Sequence, residues 1–323
     1  MTKESGWALG VDLGGTKVEV AQVGADGTMH QRLRRATDVK DGAQAVEDEI
    51  VQAVRELEEK IGSSPGGVGV GVAGQVQAES GVVRFAPNLD WHNVPLQADL
   101  SRALRLPVVV SNDVRAATWG EWRHGAGRGC DDLVCVFVGT GIGGGVVSGG
   151  QMLSGCSNTA GEVGHVVVAL NGPDCHCGNQ GCLEALAGGW AIARRAREAV
   201  AAEPDAGAAL LRLAGGRAED LEARVVADAF HQGDPLARRL VDEIAAALIA
   251  GVTGLVNAFN PCRLILGGGV IEGLPELLDR IDEGVHAGAL AAARDPLQVL
   301  PARLGNDAGV VGAASLALNS AAN

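Results

Sequence analysis

His165, Cys175, Cys177 and Cys182 place one imidazole and three thiols in a short run of the chain. Deprotonated, they make a closed tetrahedral donor set of the kind that holds Zn²⁺. A Cys-x-Cys pair with a third Cys five residues on is a more specific signal than two cysteines alone. The competing reading is three structural thiols in a loop of Asn171, Gly172, Pro173, Gly178, Asn179 and Gly181, with no metal. His176 lies between two of the ligands and reads as a solvated loop residue pointing away from them. Cys130, Cys135, Cys156 and Cys262 read as small core hydrophobes.

Glycine offers a second chemistry. The chain has 48 glycines, many in clusters directly after apolar runs, where a backbone must come close to something. Gly10 to Lys17 has the order Gly-Thr-Lys and is followed by strand-like Val18, Glu19 and Val20, which excludes a P-loop. Gly139-Thr140-Gly141-Ile142-Gly143-Gly144 matches G-x-G-x-x-G, yet Val146-Val147 cannot open the helix that a dinucleotide fold requires. Both segments read instead as hairpin turns whose N–H groups face phosphate oxygens, with Asp12 available to hold Mg²⁺ through water. Taken alone, Gly14-Gly15 also fits a plain tight turn. A third glycine cluster at 267 to 269 strengthens the phosphate reading.

The candidate base is Asp113. Asn112-Asp113 follows the apolar run Pro107 to Val110 at once, so the carboxylate would stand at a strand end where it could accept a hydroxyl proton. Such a pair also serves as an ordinary turn or helix cap. Glu162, His165 and Glu184 add polar groups around the thiol loop, and each singly could be a surface side chain.

These residues need a frame. Trp7 to Leu13, Val18 to Val23, Val68 to Val72, Pro107 to Val110, Leu133 to Val138, Val146-Val147, His165 to Leu170 and Leu264 to Leu266 are predicted strands. Asp41 is the predicted cap of a helix in which Val46, Ile50, Val54, Leu57 and Ile61 share a face, ended by Gly62. Ala-rich helices are expected near 185 to 200 and 205 to 230. A long one begins with Asp234 as cap and Pro235 as first residue, with Leu236, Leu240, Ile244 and Leu248 along one side, and ends before Pro261. Strand, glycine turn, strand occurs at Asp12 to Lys17 and again at Gly139 to Gly145, which predicts two related half-folds facing each other across a cleft.

Charge and length narrow the partners. The chain has 323 residues with 26 Lys+Arg against 39 Asp+Glu, a net charge of −13. That length suits two domains of roughly 150 residues each. The negative excess repels phosphodiesters and anionic lipid heads, so neither nucleic acid nor membrane is expected, and a small-molecule ligand is. Hydrophobic residues at 47% suffice for a large core, and no apolar run approaches the ~20 residues of a membrane span. Met1-Thr2-Lys3-Glu4-Ser5 has no leader pattern, so a cytoplasmic location is expected.

Asp12-Leu13-Gly14-Gly15-Thr16-Lys17, Asn112-Asp113, Gly139 to Gly145, Glu162-Val163-Gly164-His165 and Cys175 to Glu184 together resemble, in order, the signature segments of the ROK family of sugar kinases and repressors. Phe85-Ala86-Pro87-Asn88-Leu89-Asp90-Trp91 is similar to the sugar loop of the family's ATP-dependent glucokinases. The resemblance spans nearly the whole chain. It implies an α/β, actin-like, ribonuclease H-like ATPase fold whose two domains close over hexose and ATP. The domains expected are 1–112, rejoined by a C-terminal helix at about 307–323, and 113–306 with the zinc loop. It makes Asp113 the base for the sugar 6-hydroxyl, with Asn88, Asn112, Glu162, His165 and Glu184 on the other hydroxyls. Asp12, Gly14, Gly15, Thr16, Lys17, Gly139, Thr140, Gly141, Gly143, Gly268 and Gly269 are expected at ATP and Mg²⁺, and His165 joins the three cysteines on Zn²⁺. A homo-oligomer, dimer or tetramer, is also implied.

Some residues depart from that pattern. Asn-Asp usually continues Ala-Asn-Ala-Ala in such glucokinases, whereas Val114-Arg115-Ala116-Ala117 follows here. Asn158 stands where glycine is usual, and Gly188-Gly189-Trp190 replaces a small-Gly stretch. The changes fall near the sugar and bring amino-sugar kinases (amino-glucose, N-acetylglucosamine or N-acetylmannosamine) forward as the alternative to glucose. The family's repressors bind DNA through an N-terminal helix-turn-helix, which the few residues before the first strand and the acidic balance do not support. A non-catalytic sugar-sensing regulator is the other rival.

Overall fold

The computed structural model describes residues 6–37 and 39–322, so the polar start Met1 to Ser5 lies outside the described residues. The chain forms two compact units. Unit 1 comprises Met1–Cys130, Met152–Gly161 and Arg303–Asn323, and unit 2 comprises Asp131–Gln151 and Glu162–Ala302. The break expected after Asn112 falls inside unit 1.

Unit 1 opens with strands β1 (Trp7–Leu13), β2 (Lys17–Gly24) and β3 (Met29–Ala36), then helix α1 (Ala43–Ile61). Strand β4 (Val68–Val72) precedes a small antiparallel sheet of β5 (Gln75–Val76), β6 (Val83–Ala86) and β7 (Trp91–Val94). Helix α2 (Leu96–Leu104), strand β8 (Val108–Asn112) and helix α3 (Asp113–His124) follow. The main sheet has the order β3-β2-β1-β4-β8, antiparallel in its first three strands and parallel along β1, β4 and β8. Its β-branched strands are buried on both faces, as a covered parallel sheet requires.

Unit 2 repeats the plan. Strands β9 (Leu133–Val138), β10 (Ile142–Ser148) and β11 (Gln151–Met152) form a meander. Helices α4 (Leu183–Ala187), α5 (Gly189–Ala202), α6 (Pro204–Leu213), α7 (Ala223–His231) and α8 (Pro235–Phe259) come next. Then follow β12 (Arg263–Gly267), α9 (Gly269–Gly273), α10 (Glu276–Gly288), α11 (Ala291–Arg294) and β13 (Gln298–Pro301). The sheet order is β11-β10-β9-β12-β13, position for position the order of unit 1. The two glycine turns seen in the sequence therefore sit at equivalent corners of two like sheets. Asp234 caps α8 as expected, its side chain accepting from Ala237 N at 2.8 Å. Among the described residues α8 is long and apolar enough to cross a bilayer, but Leu236, Leu240, Ile244 and Leu248 are buried in unit 2.

Three expectations need correction. Gly42, not Asp41, caps α1, because Asp41 is taken up in a one-turn 3₁₀ segment. His165 to Leu170 is not a strand: only Val167 makes a bridge, to Cys182, and the backbone of 166 to 169 bonds to Gly181 and Leu183 in the thiol loop. Cys156 and Cys262 are exposed rather than core, whereas Cys130 and Cys135 are buried.

The last helix, α12 (Ala308–Ala322), returns to unit 1 and lies on β1, β4 and α3. Glycine makes that approach possible. A Cβ on Gly69 in β4 would collide with the carbonyl of Ala313. Gly69→Ala is therefore expected to lift α12 off the sheet and to destabilise the protein by about 3 kcal/mol, measurable by urea unfolding.

Candidate active site

In unit 1 the site residues collect at one end of the parallel strands. Leu13 of β1 pairs with Val72 of β4, which pairs with Asn112 of β8, so Asp12, Asn112 and Asp113 share the carboxyl edge of the sheet. Ligands of open α/β sheets gather at such an edge. The Gly14-Gly15-Thr16-Lys17 turn leaves the same edge as a hairpin, with Gly14 N donating to Lys17 O at 3.0 Å. The backbone of Asn88 lies against Gly15, and the Asn88 side chain is exposed.

Asn112 is both the last residue of β8 and the N-cap of α3. Its Oδ1 accepts from Arg115 N at 3.0 Å and its Nδ2 donates to Gly74 O at 3.1 Å. That fixes Asp113 as the first residue of the helix, where a carboxylate is favoured by the helix dipole. Asp12 is pushed up to about 6, first by burial and then by the charge of Asp113, against a lowering contribution from Lys17. Two neighbouring carboxylates, one of them reluctant to ionise, are a donor set that a divalent cation would relieve.

In unit 2 the second glycine turn joins β9 to β10 through Gly139-Thr140-Gly141. Gly143 lies beyond the turn, in β10 opposite Phe137. Gly139 O and Thr140 O accept from Gly189 N and Trp190 N at the start of α5, both at 2.9 Å. Gly268 and Gly269 follow β12, which runs parallel to β9, and Gly268 sits against the end of β9 at Val138. At Gly141 the backbone comes up against the carboxylate of Glu184, so a Cβ there would displace that carboxylate from its present position. Glu184 is anchored by Ile142 N at 2.8 Å and Trp190 Nε1 at 3.3 Å, which leaves it further lone pairs. Glu162 is exposed just ahead of the 3₁₀ turn that ends at His165.

The thiol loop brings its four donors together. The ligand atoms of His165, Cys175, Cys177 and Cys182 lie within 4.8 Å of one another. Cys177 Sγ and Cys182 Sγ are 3.7 Å apart, and Cys175 Sγ is 3.7 Å from His165 Nδ1. A tetrahedron with Zn–S bonds of about 2.3 Å has S···S edges of about 3.8 Å, so the spacing suits that ion. Burial and the neighbouring thiols push Cys182 up to about 12, burial raises Cys175, and the Asn179 backbone lowers Cys177. Three adjacent thiolates thus need a cation to coexist. With Nδ1 toward the sulfurs, His165 keeps Nε2 for a ligand.

His176 lies outside the donor cluster, as the sequence suggests, but it has a partner the sequence did not show. It is exposed yet stacks on Trp190 with ring centroids 4.0 Å apart and planes at 23°. Trp190 thereby connects the thiol loop to Glu184 through its side chain and to Thr140 through its backbone. The signal available in the sequence was a large aromatic in a run of glycines.

Two sheets of the same strand order, each with a glycine turn at its corner, and in unit 1 carboxylates at the strand ends, define an actin-like, ribonuclease H-like ATPase. Residues 8–320 match the model of the ROK family, and the chain belongs to that family. Glucokinase of Thermotoga maritima is 39% identical over 309 residues, covering 95% of this chain and 96% of its own. Glucokinase of Streptomyces coelicolor is 36% identical over 313 residues, covering 97% and 98%. The crystal structure of a ROK family glucokinase from Streptomyces griseus in complex with glucose and AMPPNP superposes with a TM-score of 0.83 at 39% identity, covering 96% of this chain and 99% of that one.

Two outcomes follow from this geometry. A carboxyl raised to about 6 in the fold but ordinary when unfolded binds its proton more tightly in the native state, so stability falls as pH rises from about 4 to 6. In metal-free buffer Asp12→Asn should therefore stabilise the protein at pH 8 by about 2–3 kcal/mol, with the gain gone by pH 4, as read from urea melts. The thiol loop should take up one Zn²⁺ per chain, and chelation should change the Trp190 fluorescence, a change absent in Trp190→Phe.

Proposed function

We propose that this chain is an ATP-dependent glucokinase that transfers the γ-phosphoryl group of ATP to the 6-hydroxyl of glucose. The observation that carries the reading is the Asn112–Asp113 corner. A carboxylate fixed at a helix start beside Asp12 and the Gly14-Gly15 turn stands where a base and a phosphate cradle are both needed. Full-length likeness to glucokinases supports it.

Asp113 accepts the proton of the sugar hydroxyl as its oxygen attacks the γ-phosphorus, and ADP leaves from the opposite side. The N–H groups of the turns at Gly14-Gly15 and Gly139-Thr140-Gly141, with Gly268-Gly269, bind the nucleotide, and Thr16 and Lys17 extend the first turn toward it. Mg²⁺, held through water by Asp12, neutralises phosphate charge when bound. Asn88, Asn112, Glu162, His165 and Glu184 satisfy the remaining hydroxyls. Each hydroxyl donates and accepts, so such a set rejects analogues that lack one. His165, Cys175, Cys177 and Cys182 would hold a structural Zn²⁺, which when bound would fix the orientation of His165 and of the segment leading to Glu184.

The reading includes a cytoplasmic enzyme acting as a homo-oligomer on small molecules. The net charge of −13 supports the exclusion of nucleic acid and anionic membranes as partners.

A coupled assay with glucose, mannose, fructose, N-acetylglucosamine and amino-glucose tests the substrate. The highest kcat/KM is expected for glucose, and a higher value for an amino sugar would move the assignment to that class. Asp113→Asn should lower kcat by about 10²- to 10⁴-fold while glucose still binds. A variant that keeps most of its kcat would remove Asp113 from the role of base.

A further inference from the structure

Arg115 and Asn158, two of the departures around the sugar segments, belong to one device. Residues 153–161 form a loop within unit 1 whose two ends meet at the Arg115 guanidinium. Nη1 donates to Leu153 O at 2.8 Å and to Ala160 O at 3.0 Å, and Nη2 to Ser154 Oγ at 3.2 Å. Arg115 is only 9% exposed, so water cannot readily replace these acceptors and leaving the guanidinium without them is costly. The far side of the loop is tethered separately, through Asn158 Nδ2 donating to Val76 O at 3.0 Å. Asn158 has φ +63°, a left-handed conformation that asparagine tolerates better than most side-chain-bearing residues. The amide thus keeps a turn that glycine would make and adds a tether that glycine lacks.

The same arginine is tied to the catalytic corner. Its backbone N–H donates to Asn112 Oδ1, in the helix turn that presents Asp113. One residue therefore holds the loop and the Asn112–Asp113 corner to a common frame.

We propose that Arg115 is a positioning residue that sets sugar specificity: it holds the 153–161 loop preformed beside Asn112 and Asp113, with Asn158 fixing the tip. This inference rests on the hexose kinase reading and deepens it. A loop ordered before the sugar arrives loses no conformational freedom on binding, which favours affinity. A loop that cannot retreat also excludes sugars carrying an added acyl group, which is discrimination by obstruction. A lysine at 115 keeps the charge but, as a single ammonium, cannot reproduce the planar fork.

The test compares wild type, Arg115→Lys and Asn158→Gly by steady-state kinetics and by hydrogen exchange in the sugar-free protein. In Arg115→Lys the glucose KM should rise by about tenfold, equivalent to roughly 1.4 kcal/mol, while kcat and the ATP KM stay within about threefold. Exchange across 153–161 should quicken, and the kcat/KM preference for glucose over N-acetylglucosamine should narrow. Asn158→Gly, which keeps the turn, should do the same to a lesser degree and serves if the arginine variant does not fold. Wild-type turnover tests the kinase reading by itself, and without turnover the glucose Kd from calorimetry supplies the same comparison. An unchanged glucose KM or Kd in both variants, or an equal rise in the ATP KM, overturns the proposal whatever happens to exchange.

Discussion

Two carboxylates that repel each other at the end of a covered sheet are the constraint around which unit 1 is built. Asp12 stands at the end of β1 and Asp113 just past the end of β8, with β4 between their strands. Burial already disfavours the charge on Asp12, and Asp113 disfavours it further. A fold selected for stability alone would not keep such a pair, since a neutral side chain at either place removes the repulsion. It makes sense where a cation and a polyanionic substrate complete the electrostatics, and the neighbouring Gly14-Gly15 turn gives the anion a backbone to bind.

Unit 2 solves a different problem on the same plan. Its sheet repeats the strand order, but the corner is steadied from outside by Glu184, whose carboxylate grips the β10 backbone beside Gly141. Glu184 follows closely on Cys182, and Trp190 is stacked on the loop between the other two cysteines. A metal bound there would stiffen a chain of contacts that ends at the Gly139-Thr140-Gly141 turn. Its part would be architectural rather than chemical, since four protein donors close the site to substrate.

Much of the frame was legible from residue types. Trp7–Leu13 and Leu133–Val138 are short β-branched or apolar runs bounded by glycine or polar residues, and they, like the valine-rich Val68–Val72, are strands over those bounds. The thiol cluster was legible because spacing alone brings Cys175, Cys177 and Cys182 together. His165 to Leu170 misled because its apolar character mimics a strand, whereas its backbone partners lie in the loop after Cys177. Asp41 misled because Gly42, with φ 84°, takes the cap position first. The proximity of Asp12 to Asp113 depends on a parallel register across three strands, and the partners of Arg115 lie some 40 residues away along the chain. Local pattern carries neither kind of information.

The most direct measurement is the titration of the Asp12 carboxyl by carbon-13 NMR on aspartate-labelled protein, assigned with Asp12→Asn, first alone and then with Mg²⁺ and a non-hydrolysable ATP analogue. The account predicts a midpoint near pH 6 in the free protein. On loading, the midpoint should fall toward or below the ordinary carboxylate range. An Asp12 that titrates normally when free, or whose midpoint does not move on loading, would contradict it.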